Sequence, residues 1–252
     1  STLFPYAALF RSSIGGSITV EGSGAYGISS SNVVMNHGTV KTTGSSASRG
    51  LSVSGTNEVN NDSVITSNMT CVYNGGTFTL NNGTLTCGTN GIEGSNSWYD
   101  YSYINVNGGT ITADNVGISA RATVKYAGGT TTAKANGINL TATSSVLNMT
   151  GGTVISTEQN GVYMTDSSSS FQIGKTSTST SAPYVVGKIQ GASIIHSTTT
   201  LGYKDGNVEN DSFTIQGGTY GLYNEDGTTY FYDGTLKGTT YGYLIMPVEL
   251  EE

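Results

Sequence analysis

The side chains able to carry acid–base, nucleophilic or metal chemistry are few in this chain, and they are scattered. Hydrolysis or elimination of a polysaccharide needs paired carboxylates, or calcium-binding carboxylates with a basic residue, converging on one face. Here Asp62, Asp100, Asp114, Asp166, Asp205, Asp211, Asp226 and Asp233 fall far apart. Asp114 and Arg121 are near enough to share a face, and an exposed pair at turns is the favoured reading of them. His37, in Asn36-His37-Gly38, reads as a turn residue. His196, after Ile194 and Ile195, reads as an outward strand position with no evident carboxylate or nucleophile beside it. Cys71 and Cys87 have neither the number nor the spacing of a metal site. They are read as two small core residues in preference to a disulfide formed in an oxidising compartment. No catalytic residue, metal site or cofactor is assigned.

Binding chemistry is better represented. The segment SNSWYDYSY, residues 95 to 103, holds the only tryptophan and three tyrosines: Trp98, Tyr99, Tyr101 and Tyr103. Aromatic rings on a loop of a rigid scaffold stack on sugar rings with large area at low entropic cost, which makes these four the glycan-contact candidates. The competing reading is that Trp98 folds back over a core edge or the cysteine pair. A second cluster, Tyr220, Tyr223, Tyr230, Tyr232, Tyr241 and Tyr243, is read as the cover of a terminal unit. A net charge of −7 opposes a phosphate backbone, and the ten Lys and Arg form no basic stripe, so nucleic acid is not expected as a partner. No apolar run approaches the ~18 residues of a membrane helix, and no membrane insertion is expected.

What must position these residues is a repeat. Residues 107 to 140, NGGTITADNVGISARATVKYAGGTTTAKANGINL, state one pattern twice: Gly-Gly-Thr, an alternating segment, Asn-Gly-Ile or a variant, and a second segment. The Thr or Ser after each glycine turn marks a phase at Ser17, Thr39, Ser63, Thr84, Thr110, Thr130, Thr153, Ser193, Thr219 and Thr235. The long gap between Thr153 and Ser193 is read as two units. Each unit resolves into three extended pieces. In the first, Leu85, Ile111 and Val154 point inward between outward neighbours. The second follows turns such as Asn90-Gly91-Ile92 and Asn136-Gly137-Ile138, where glycine is expected to supply a left-handed backbone angle. The third carries apolar residues at i and i+2, as in Phe78-Thr79-Leu80, Ile104-Asn105-Val106, Val124-Lys125-Tyr126 and Phe213-Thr214-Ile215.

This pattern predicts an all-β fold, a single-stranded parallel β-helix of about ten coils of ~22 residues. Right-handed coiling is expected, since crossovers between parallel strands overwhelmingly take that hand. A sandwich of hairpins would show a turn every 8 to 12 residues with no larger period. Charged residues make up only 11% of the chain and glycine 36 residues, as in exported all-β surfaces. The regular β-branched and aromatic positions argue against disorder.

Over residues 13 to 244 the coil pattern resembles bacterial parallel β-helix proteins of the pectate-lyase-like superfamily, in particular adhesin-like repetitive surface proteins. The segment YFYDGTLKGTTYGYL, residues 230 to 244, resembles one recurring in large Firmicute surface proteins. The polygalacturonase-like pattern of clustered Asp, a Gly-His-Gly turn and a basic triplet is missing, and Asn36-His37-Gly38 imitates only its middle. Thr84 with Thr86, Thr110 with Thr112, and Thr130 with Thr132 resemble the flat Thr ladders of ice-binding β-solenoids, although Thr is also simply a good outward strand residue. Residues 2 to 12, TLFPYAALFRS, resemble translated sequencing-adapter read-through, so 1–12 is expected to be a non-native leader and not an N-terminal cap, with 245–252 an acidic tail. The resemblance implies a surface protein and leaves activity open; the regular repeat with no convergent chemistry makes the expectation a non-enzymatic extracellular or cell-surface module, a spacer that contacts glycan or a host surface. Its other partners would be neighbouring coils or domains of a longer parent chain. The alternatives are a carbohydrate-active lyase or glycoside hydrolase, and an ice-binding solenoid.

Overall fold

The computed structural model describes residues 10–12, 16–95, 101–188, 191–196, 198–203, 212–225 and 227–245. Every regular element among them is a strand. The chain visits three sheets in turn, and each sheet contains ten parallel strands. The result is a β-solenoid, a parallel β-helix of about nine turns of ~23 residues. The first sheet runs from Phe10–Ser12 and Val33–Met35 to Thr229–Phe231, and the second from Ser17–Val20 to Thr235–Lys237. The third runs from Tyr26–Ser30 to Tyr241–Ile245.

Alternation at period two sets which residues enter the core. In Thr110–Ala113 the first and third residues are exposed, while Ile111 and Ala113 are buried. Phe78 and Leu80, then Ile104 and Val106, fill the core from the first sheet. Inward residues stack coil on coil, as in Leu85, Ile111, Thr131 and Val154. Each large apolar side chain buried this way contributes about 1.5–3 kcal/mol. A polar residue at an inward position can be satisfied by the backbone of its own and neighbouring coils. Asn57 takes a place in line with Phe78, and its Oδ1 accepts from Val33 N at 2.9 Å while its Nδ2 donates to Gly55 O and Thr77 O.

The corner from the first to the second sheet is held by an asparagine ladder. Asn60 donates to Asn36, Asn81 to Asn60, and Asn107 to Asn81, with distances of 3.0, 2.6 and 2.8 Å. In the Gly-Gly-Thr turns at this corner the second glycine does need the left-handed region: φ is 84° at Gly109, 81° at Gly129 and 78° at Gly152. The glycines of the Asn-Gly-Ile turns do not, against expectation. They are small because the next coil is too close. A Cβ on Gly137 would lie 2.6 Å from the Gly161 carbonyl oxygen, and Gly27, Gly50, Gly91 and Gly117 are similarly crowded.

Cys71 occupies this glycine column, between Gly50 and Gly91 in register, and is disulfide-bonded to Cys87 of the second sheet one coil on. The preferred reading of two thiols is therefore corrected. Cys71 and Cys87 approach with a Cα–Cα distance of 5.4 Å, well within bridging reach.

The phase inferred from sequence slips after Thr153. Second-sheet strands begin there at Tyr184 and Thr214. Ser193 lies within a third-sheet strand opposite Val162, and Thr219 immediately precedes another. Gly217-Gly218-Thr219 repeats the tripeptide at a different corner, which is why the marker misled, and Phe213-Thr214-Ile215 belongs to the second sheet. Phe10–Ser12, assigned to the leader on sequence, pairs in register with Val33–Met35. The last third-sheet strand likewise reaches Ile245, one residue past the expected boundary.

Candidate functional site

Where the outward face of the third sheet turns into the first sheet, a groove of about 490 Å³ opens. Ser29, Ser30 and Ser31 line it from one coil, Ser52 and Ser54 from the next, and Tyr73 from a third; it ends at Ser95. Its origin is the register. Ser29, Ser52 and Tyr73 follow one another in a single outward column, so two small side chains leave a hollow that the tyrosine walls. Arg49 braces that wall: its guanidinium carbon sits 3.7 Å from the Tyr73 ring centroid and 5.8 Å from that of Tyr26. Stacking of this kind holds an aromatic ring in place through cation–π attraction and area burial. The groove thus presents hydroxyls and one ring, and among its described lining residues none is a carboxylate or histidine.

The aromatic insertion starts at the end of this groove. Ser95 and Ser102 are both buried and tie the two ends of the insertion together. Ser95 N donates to the Ser102 hydroxyl at 3.0 Å, and that hydroxyl donates to Asn74 O at 2.8 Å. Trp98 and Tyr99 lie outside the described residues. Tyr101 is half-buried, with its hydroxyl donating to Ser144 O at 2.8 Å and its ring 5.8 Å from the Arg121 guanidinium carbon. Tyr103 meets Tyr101 edge-on at 5.6 Å and remains 50% exposed, a ring free to receive a ligand face.

Among the described residues, three charged pairs join neighbouring coils. Arg121 serves Tyr101, while Asp114 pairs with Lys134 of the next coil at 2.8 Å, a hydrogen bond that raises the lysine's pKa. His37 pairs with Asp62 and holds its carboxyl below the usual range. His196, read as having no carboxylate beside it, has its Nε2 3.6 Å from Glu225, which the next coil brings alongside. None of these pairs lines the groove. Among the described residues, no three His, Cys, Asp or Glu side chains gather as metal ligands. Among the same residues no helix is long and apolar enough to cross a membrane.

The threonine ladder proves longer than read. One outward column of the second sheet runs Thr84, Thr110, Thr130, Thr153, and the other Thr66, Thr86, Thr112, Thr132. The coil containing Thr66 was missed because its phase residue, Ser63, sits one place before the strand. Tyr220, Tyr223 and Tyr241 lie across the outward face of the third sheet, where a core cover was expected. Tyr220 and Tyr241 stack at 5.7 Å with planes 13° apart, Tyr223 is 6.0 Å from Tyr220, and Tyr241 is 55% exposed. Tyr230 and Tyr232 form a separate stacked pair at 6.5 Å.

No protein-family model, curated protein or solved structure matches the chain. The β-solenoid therefore stands on its own register, and sequence reasoning missed its groove. A signal for it was present: Gly27-Ile28-Ser29-Ser30-Ser31 and Gly50-Leu51-Ser52-Val53-Ser54 are in the same phase one coil apart.

Proposed function

We propose that this chain is a non-enzymatic, extracellular or cell-surface β-helix module of adhesin-like type that binds glycan through the serine-lined groove and the aromatic insertion beside it. The observation that carries the proposal is the groove itself: hydroxyls along its length, a braced tyrosine wall and, among its described lining residues, no acid to act as proton donor or nucleophile. Sugar recognition uses hydroxyl hydrogen bonds and ring stacking, and both are on offer there. Hydrolysis or elimination would require paired carboxylates, or carboxylates with a base. This favours binding over the lyase or hydrolase alternative. The Cys71–Cys87 disulfide supports an oxidising, hence extracytoplasmic, location. Neighbouring coils or domains of a longer parent chain fit the proposal as further partners, because sheet edges at solenoid ends pair readily.

A glycan array comparing the native chain with Trp98→Ala and Tyr73→Ala tests the reading. Retained binding by native protein and at least tenfold loss in either variant supports it. Turnover of a bound polysaccharide would instead establish the enzymatic alternative.

The extended threonine columns favour a second reading, ice binding. Eight Thr hydroxyls and methyls on one parallel sheet repeat at about 4.8 Å between coils. Thermal hysteresis in concentrated native protein, abolished by Thr110→Lys, would support it, and no hysteresis would dispose of it.

A further inference from the structure

Four strands of the third sheet, Tyr26–Ser30, Arg49–Val53, Thr70–Asn74 and Ile92–Gly94, run up to the serine groove. They hold one cation, Arg49, and one anion, Glu93. Arg49 is in register with Tyr26 and Thr70, beside the column of Ser29, Ser52 and Tyr73. Its guanidinium lies over the Tyr73 ring and near that of Tyr26, just outside the groove lining. Among the described residues no carboxylate stands within ion-pair distance of Arg49, and none accepts a hydrogen bond from it. Glu93 is engaged elsewhere: its Oε2 accepts from the Thr70 hydroxyl at 3.1 Å. Arg49 is therefore half-buried, held by two rings, and has N–H donors that no protein group takes up. A guanidinium is a planar fork matched to two oxygens of one anion, and stacking on rings orders it beforehand, so less freedom is lost when the fork closes.

We propose that this site takes a short glycan carrying a single anionic substituent, a carboxylate or a sulfate ester, whose oxygens close on the Arg49 fork while its uncharged rings occupy the serine groove and lie against Tyr73. The proposal rests on the glycan reading above and adds the charge of the ligand and the residue that reads it. The serine hydroxyls can donate to or accept from sugar hydroxyls, so the uncharged part is recognised without a further ion. One anion is the number that fits. A second would meet no other cation on these strands and would face Glu93, which stands next to Tyr73 in register. The chain's net charge of −7 opposes a polyanion at longer range. The groove volume of about 490 Å³ also lies within the ~300–1,000 Å³ of small-ligand sites, which suits a short oligosaccharide.

An array of matched glycans tests this on the full chain: the same short oligosaccharides printed bare, with one terminal uronic acid, and with one sulfate ester, beside a polyuronate. The native chain should hold a singly acidic member about tenfold more tightly than its neutral counterpart, with the gap narrowing as salt is added. Preference for either acidic series supports the proposal and identifies the substituent. Arg49→Gln should bring the ratio of acidic to neutral affinity close to one. The ratio is the readout because Arg49 also braces Tyr73, and loss of the brace alone would weaken both members equally. Glu93→Gln should raise the ratio roughly two- to threefold. Thermal unfolding of both variants checks that the solenoid persists; where Arg49→Gln loses its fold, Arg49→Lys, which keeps the charge without the fork, should still lower the ratio. Equal affinity for neutral and acidic members, or a ratio unchanged in the folded Arg49 variant, would overturn the anion assignment while leaving glycan binding in place. Tightest binding to the polyuronate would overturn the limit to one anion. No binding to any printed glycan would remove the underlying reading itself.

Discussion

Replacing Tyr126 by Phe deletes one oxygen from a fully enclosed polar contact of the core. Tyr126 and Thr131 are both fully buried, and their hydroxyls lie 2.9 Å apart, with the tyrosine also donating to Thr153 O at 3.2 Å. Tyr126→Phe leaves the Thr131 hydroxyl enclosed without that partner, at a cost of about 1–3 kcal/mol. Thr131→Val removes one bond but spares the contact to Thr153 O, costing about 0.5–1.5 kcal/mol. Making both changes leaves an apolar pair of nearly the same shape, which is close to neutral. The two effects should therefore fail to add by about 1 kcal/mol or more, beyond the ~0.3–0.5 kcal/mol scatter of independent sites. Urea unfolding of the native chain, both single variants and the double variant measures this. Burial also pushes the Tyr126 phenol well above its ordinary value, so the unfolded chain ionises first. Its contribution is present below pH ~10 and lost as pH rises beyond it, a loss that Tyr126→Phe should reduce. Strictly additive costs would mean that Thr131 does not face Tyr126. The register that turns Thr130 and Thr132 outward would then be wrong, and the threonine columns with it.

Gly137→Ala should cost about 1–3 kcal/mol by overpacking against Gly161 O, read from urea midpoints; a neutral result would show that the glycine column is not set by space. Reduction of Cys71–Cys87, which closes a loop of sequence separation 16, should lower stability by about 3 kcal/mol in unfolding curves run with and without reductant. The hydrogen bond from His37 depresses the Asp62 pKa, so its stabilisation is complete above the ordinary carboxylate range and disappears as pH falls through the folded value. Asp62→Asn should accordingly flatten the acid limb of melting temperature against pH. Lys134→Ala should shift the melting point negligibly, because its pair with Asp114 is exposed on both sides.

Most of the solenoid is legible in sequence because period-two alternation and glycine turns are local properties. Ile111 flanked by Thr110 and Thr112 can face only one way without exposing an isoleucine. Thr130-Thr131-Thr132 has no such apolar marker; its phase comes from the preceding glycine turn, and stacking on Ile111 and Val154 with the bond to Tyr126 keeps Thr131 inward. The Asn-Gly-Ile turns show the other limit. Their glycine was visible, but its cause, the backbone of the next coil, is not a local property. The groove escaped for the same reason. A run of serines is unremarkable by itself and becomes a hollow only when stacking places Ser52 above Ser29 and Tyr73 above both. Pairings such as His196 with Glu225 and Asp114 with Lys134 likewise join residues one coil apart.

The same stacking bears on why the serine groove and the insertion share one corner. Over the coils from Asn36 to Asn107 the corner between the first and second sheets is locked by asparagine amides bonded to each other. An insertion there would break a chain of bonds, each part-buried or at the surface of the same ladder, and displace the glycines whose positive φ closes the turn. Among the described residues, the corner between the third and first sheets in those coils shows no run of amides bonded to each other. Asn74 there bonds to Gly76 within its own turn and to Tyr103 O of the next coil, and Asn57 bonds to Val33 N and Thr77 O, so its links between coils run from side chain to backbone. Ser95 and Ser102, bonded to each other and to Asn74, hold the two ends of the insertion at this corner. One corner is held by amides bonded to each other from coil to coil, the other by side chains bonded to backbone. The first fixes the register on which the serine column depends, and the second is where the insertion departs from the repeat.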